Sequence, residues 1–154
     1  MTQVHTKQTL QSIFGITLIT AALGLTACTN PDVKARQDIM KNYGDASKLM
    51  GDMVKAPDTF DIEVFKEQAA FLDSESKTPW SHFEDTKAVG DAKPEVWSDN
   101  AGFLAETENF QKVTAELNMV AQNATTLAEV KPAFGAVGKS CKSCHDGYKV
   151  KDDK

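Results

Sequence analysis

Residues 140–148 read SCKSCHDGY, two cysteines separated by two residues with a histidine joined directly to the second. On a helix, positions three apart share a face, so Cys141 and Cys144 would present both thiols the same way. Zinc needs four ligands, and with Cys28 set aside the chain offers only Cys141, Cys144, His145 and His82. A thioredoxin-type pair belongs in a βαβ pattern, which this sequence lacks. Two thiols on one helical face can instead add to the two vinyl groups of a haem, with His145 placed to ligate the iron from below. C-x-x-C-H is the attachment pattern of c-type haem. One covalently attached haem c is therefore expected, held by Cys141 and Cys144, with His145 as the proximal axial ligand.

The motif needs a helix, and the residues before it read as one. Thr126-Leu127-Ala128-Glu129 is a capping-box pattern, and Phe134 and Val137 carry the apolar spacing into the cysteines. Pro132 conflicts with an unbroken helix: either the helix starts near it, or it kinks there. Three earlier stretches have helical spacing as well. The first opens at Asn30-Pro31, an N-cap followed by proline, and runs to about Lys55. Val33, Arg36, Gln37, Met40, Tyr43, Met50 and Val54 fall on one face of it. The second carries Ile62, Phe65, Ala69 and Leu72. The third runs from about residue 98 to Ala124 with the stripe Phe103, Phe110, Leu117 and Ala124, supported by Val113 and Val120. A loop at 77–97 holds both tryptophans, and the tail KVKDDK reads as a solvated end. With no alternating strand and mostly short connections, the pattern predicts an all-α, antiparallel four-helix bundle with the haem on its last helix.

Composition narrows the class. A chain of 154 residues suits one domain, and 41% hydrophobic residues suffice for a core. The net charge of −5, without a basic cluster, argues against nucleic acid as a partner. The N-terminus differs from the rest. MTQVHTKQ is polar and weakly basic, IFGITLITAALGLTA is apolar and uncharged, and the run ends at Cys28, the arrangement of a secretory signal. Leu25-Thr26-Ala27-Cys28 resembles a bacterial lipobox, which implies removal of residues 1–27, a lipid anchor on Cys28 and a mature domain over 28–154. Taking Lys7 from the 17 basic residues leaves 16 against 22 acidic ones, a formal charge of −6. Thr29 in place of aspartate resembles sorting to the outer rather than the inner membrane.

The bundle with CxxCH on its last helix resembles the class II c-type cytochromes, cytochrome c′ and its low-spin relatives. VKARQDIM is similar to the family's basic-Gln-x-x-Met opening, KPEVWSDNAGF to its approach to the third helix, and FGAVGKSCKSCHDGYK to its last helix. The resemblance covers about residues 31–150. It implies that Arg36 and Gln37 contact the haem propionates and that Met40 lies over the distal side. There Met40 either bonds the iron, as in low-spin members, or packs over an open position. Lys149 stands where the family usually has arginine, and no haem contacts are assigned in FEDTKAVGD.

The function expected from this reading is electron transfer in the bacterial periplasm, cycling Fe(III)/Fe(II) with redox protein partners. An acidic surface suits partners with basic docking patches. The alternative is a five-coordinate haem protein that binds NO or CO. An enzyme is not expected, because peroxidase chemistry needs a polar distal group and the distal helix offers Ile39, Met40 and Tyr43. The family often forms homodimers through its first two helices. Here those helices expose Lys41, Asp45, Lys48 and Asp52, which mark no decisive patch.

Overall fold

The computed structural model describes residues 30–151. The signal segment 1–27 and the lipidation candidate Cys28 lie outside the described residues. Four long helices and one short one follow in order: α1 Pro31–Lys55, α2 Ile62–Glu75, α3 Glu95–Ser98, α4 Asn100–Asn123 and α5 Leu127–Tyr148. Single 3₁₀ turns occupy Pro57–Thr59 and Trp80–Phe83. No strand occurs among the described residues, only an isolated antiparallel bridge between Ala92 and Lys149.

Local chemistry sets the helix starts. Asn30 caps α1 by accepting from the backbone N–H of Asp32 at 2.8 Å and of Val33 at 3.4 Å, and Asp61 does the same for α2. At α5, Glu129 reaches back to accept from the Thr126 N–H at 2.8 Å. The backbone N–H groups of Thr125 and Thr126 hold the Glu129 carboxyl below its usual range. This reciprocal cap starts α5 at Leu127, five residues before Pro132, and the helix continues through the proline.

The core is sealed by Met50 of α1, Phe65 and Leu72 of α2, Leu117 of α4, and Val130 and Val137 of α5, all essentially inaccessible to water. Each such side chain contributes about 1.5–3 kcal/mol on burial. Within α4 the buried positions are Phe103, Thr107, Phe110, Thr114, Leu117 and Ala121, an alternating four-and-three spacing. The expected supports Val113 and Val120 are only half-buried, because the seam follows Thr107 and Thr114 instead. Thr114 tolerates burial because its hydroxyl donates to the Phe110 and Gln111 carbonyls, both at 3.0 Å.

Helix α4 packs against both α2 and α5, while α1 rests on α2 and on the turn at 80–83. Polar pairs run along the α4–α5 seam: Asn109 to Ser140 at 3.2 Å, Ser143 to Glu106 at 2.6 Å and Tyr148 to Asp99 at 2.8 Å. One number falls as the other rises, the signature of antiparallel helices. The residues just after α5 are tied back to the loop. Val150 N–H donates to the Asp91 carbonyl at 2.8 Å and Lys93 N–H to the Tyr148 carbonyl at 2.9 Å. Loop and terminus therefore pair by backbone hydrogen bonds, which side-chain pattern does not report.

Candidate haem-binding site

The last turns of α5 carry Cys141 and Cys144 on one face, both free thiols and both half-buried. A cavity of about 480 Å³ opens between α1, the connector 80–93 and the end of α5. A second space of about 220 Å³ adjoins it and includes Cys141. The two share Met40, Trp80, Cys144 and His145 as walls. Together they fall in the range of roughly 300–1,000 Å³ typical of cofactor clefts. Met40 enters from α1 and His145 from α5, so the two sulphur-or-nitrogen ligands of the sequence reading bound the same space from different helices.

The walls are aromatic. Trp80 stacks on Phe83 with centroids 6.3 Å apart and meets Phe103 edge-on at 6.1 Å, and Tyr148 meets Phe103 at 5.4 Å. The polar ends of these rings already have partners. Trp80 Nε1 donates to the Ser76 carbonyl at 2.7 Å, the Tyr43 hydroxyl to the Glu75 carbonyl, and the Tyr148 hydroxyl to Asp99. Ring faces and the Met40 thioether are left toward the interior, with Arg36, Gln37, Lys41 and Lys149 at the cavity's polar edge. An apolar slot with a cationic rim matches an amphiphile that carries a flat apolar body and two carboxylates.

The thiols do not carry the shift that exchange chemistry uses. Burial, with smaller contributions from Glu106 and Cys141, pushes the Cys144 thiol up to about 11, and burial raises Cys141 as well. Redox and nucleophilic cysteines need the opposite shift. Among the described residues, no three His, Cys, Asp or Glu side chains converge to hold a metal ion directly.

Cys141, Cys144, His145 and Met40 thus line the same pair of spaces. Arg36 also lines the cavity, but its guanidinium is engaged. It donates to the carbonyls of His82 at 2.8 Å, Ala88 at 2.5 Å and Val89 at 2.6 Å. Gln37 sits at the rim and donates to Asp91 at 3.2 Å. His82 does not line either space; its Nδ1 pairs with Asp32 at 2.9 Å. Sequence reasoning misses Trp80, Phe83, Phe103 and Tyr148 as walls, and assigns nothing in FEDTKAVGD, where Phe83 and Asp91 reach the cavity. For Trp80 and Phe83 the signal available is an aromatic excess in a loop; Phe103 and Tyr148 stand on α4 and α5.

The family model for Cytochrome C' matches residues 32–149. A cytochrome c′ from Alcaligenes xylosoxydans xylosoxydans is 36% identical over 119 residues, covering 77% of this chain and 93% of that protein. A ferrous variant of the Alcaligenes xylosoxidans cytochrome c′ solved with bound NO superposes with a TM-score of 0.73 at 36% identity, covering 79% of this chain and 94% of that one. A carbon-monoxide-bound variant gives 0.72 at 35% identity over 78% and 94%.

Proposed function

The chain belongs to the cytochrome c′ family, whose cofactor is covalently attached haem c, and from that premise we propose that it binds small neutral gases, NO and CO. In this reading Cys141 and Cys144 hold the haem by thioether bonds and His145 is its proximal ligand. Haem c held here would supply an iron whose remaining position can accept a diatomic molecule.

One observation carries the choice of ligand. The indole and phenol donors around the cavity are all committed to backbone carbonyls or to Asp99, so the aromatic walls and Met40 offer no hydrogen-bond donor to an incoming molecule. NO and CO need no hydrogen-bond donor. Stabilising dioxygen or cleaving a peroxide does, which also argues for a binding protein rather than an enzyme. Relatives at 35–36% identity solved with NO and with CO support the same reading.

Electron transfer, the first expectation from sequence, is the second reading. Met40 favours it: a thioether on the wall opposite α5 could complete a Met/His pair, which raises reduction potential. It would also call for redox protein partners and, on an acidic chain, for basic docking patches. The exported setting in which c-type haem is retained covalently supports a periplasmic location, with Cys28 as lipid anchor and the outer membrane as the favoured site. Self-association through α1 and α2 would have to accommodate the exposed pairs Lys41–Asp45 and Lys48–Asp52.

The test is ligand discrimination by the reduced, haem-loaded protein. Uptake of NO and CO with no stable dioxygen complex is the expected result. A spectrum indifferent to both NO and CO would reject gas binding and leave electron transfer.

A further inference from the structure

We infer that Arg36 is a positioning residue, fastening the connector 82–93 to α1 beside the cavity and so setting access to the iron's open position. The inference rests on the gas-binding reading above for its functional consequence, and on hydrogen-bond geometry for the fastening itself.

A guanidinium carries five N–H donors in a fixed plane. Three backbone carbonyls, those of His82, Ala88 and Val89, already accept from Nη1 and Nη2 of Arg36. The Arg36 Cζ atom lies 4.4 Å from the centroid of Phe83, a cavity wall. The side chain is only 4% exposed, and burial pulls its pKa below the usual value against the pull of Asp32 and Asp91. Charge-assisted bonds of this kind are the strong class of protein hydrogen bond. Gly90 completes the seat. Its φ of +49° suits glycine, and a Cβ there would stand 2.7 Å from Val33 Cγ1 and 3.2 Å from Arg36 Nη2.

The connector's other end is fixed to α5. The Ala92–Lys149 bridge and the bonds from Val150 N–H to Asp91 and from Lys93 N–H to Tyr148 tie it there. The segment is therefore anchored to α1 at one end and to α5 at the other, the two helices between which the cavity opens. Releasing Arg36 removes its bonds to His82, Ala88 and Val89 and leaves the ties His82–Asp32 and Gln37–Asp91, so the connector would loosen around Ala88 and Val89 while the haem stays attached through Cys141 and Cys144.

The test compares the haem-loaded wild type with Arg36→Lys and Gly90→Ala. Lysine keeps the charge but offers a point donor in place of the planar fork. Gly90→Ala disturbs the same seat from the loop side and leaves Arg36 intact. Two quantities are read: amide hydrogen exchange over residues 83–93 and the CO association rate of the reduced protein. Both variants should raise exchange there and speed CO association by about tenfold, the equivalent of losing one or two such bonds, with exchange in α2 and α4 unchanged. Unchanged exchange in 83–93, or faster exchange with an unaltered CO rate, would overturn the assignment. If wild type takes up no CO, the gas-binding reading falls, and the exchange pattern alone then decides whether Arg36 fastens the connector.

Discussion

Met40 decides between the two functional readings, because it bounds both cavity spaces together with His145. If it packs without bonding iron, Met40→Ala enlarges the entrance, speeds NO and CO association and leaves the unliganded spectrum in place. The loss of a half-buried thioether should cost about 2 kcal/mol, the low end of such truncations, measurable by denaturant unfolding. The tyrosines give a second test at the same scale. The chain has two, Tyr43 and Tyr148. Burial raises Tyr43, and the hydrogen bond to Asp99, ahead of desolvation, pushes Tyr148 up to about 12. Both folded values lie above the ordinary value near 10, so the stability they contribute is complete below pH 10 and is lost as pH rises through the folded values. A spectrophotometric titration should show less tyrosinate at pH 10 in the folded protein than in the unfolded chain, where tyrosine is about half ionised.

Helix boundaries depend on single contacts that can be removed one at a time. Asn30→Ala deletes the two bonds that start α1 and should lower stability by about 1 kcal/mol in thermal or urea unfolding. At the α4–α5 crossing, a methyl group on Gly102 would collide with Asp99 and with the Tyr148 hydroxyl. Both obstacles are side-chain ends at an exposed site, so Gly102→Ala should turn them aside and break the Tyr148–Asp99 bond at a cost of about 1 kcal/mol, with little further loss when Tyr148→Phe is added. The sequence revealed α1, α2, α4 and α5 because caps and apolar spacing are local, periodic signals. It marked Cys141, Cys144 and His145 as candidates because their chemistry depends on spacing along one helix. It did not reveal that Thr107 and Thr114 lie on the α4 seam, since their burial depends on hydroxyls bonding to their own helix. Nor did it reveal the walls Trp80 and Phe83, whose placement is fixed by Arg36 and by pairing between the loop and the residues after α5. These are contacts between distant parts of an aperiodic segment.

At the scale of the whole molecule, α1 and α5 meet where Phe134 faces Gly51, and nearer the cysteine motif the cavity opens between them with the connector 80–93 along it. The cavity is thus part of the architecture: α4 joins α2 to α5, while α1 brings Met40 to the side facing the cysteine motif. Among the described residues no helix is long and apolar enough to cross a membrane. The central claim is that this cavity holds a haem ligated by His145 with Met40 packed beside an open position. The most direct test is the electronic absorption spectrum of the purified, reduced protein before any ligand is added. The account predicts the spectrum of a high-spin, five-coordinate haem, unchanged in form by Met40→Leu. A low-spin, six-coordinate spectrum that turns high-spin in Met40→Leu would contradict it and place Met40 on the iron.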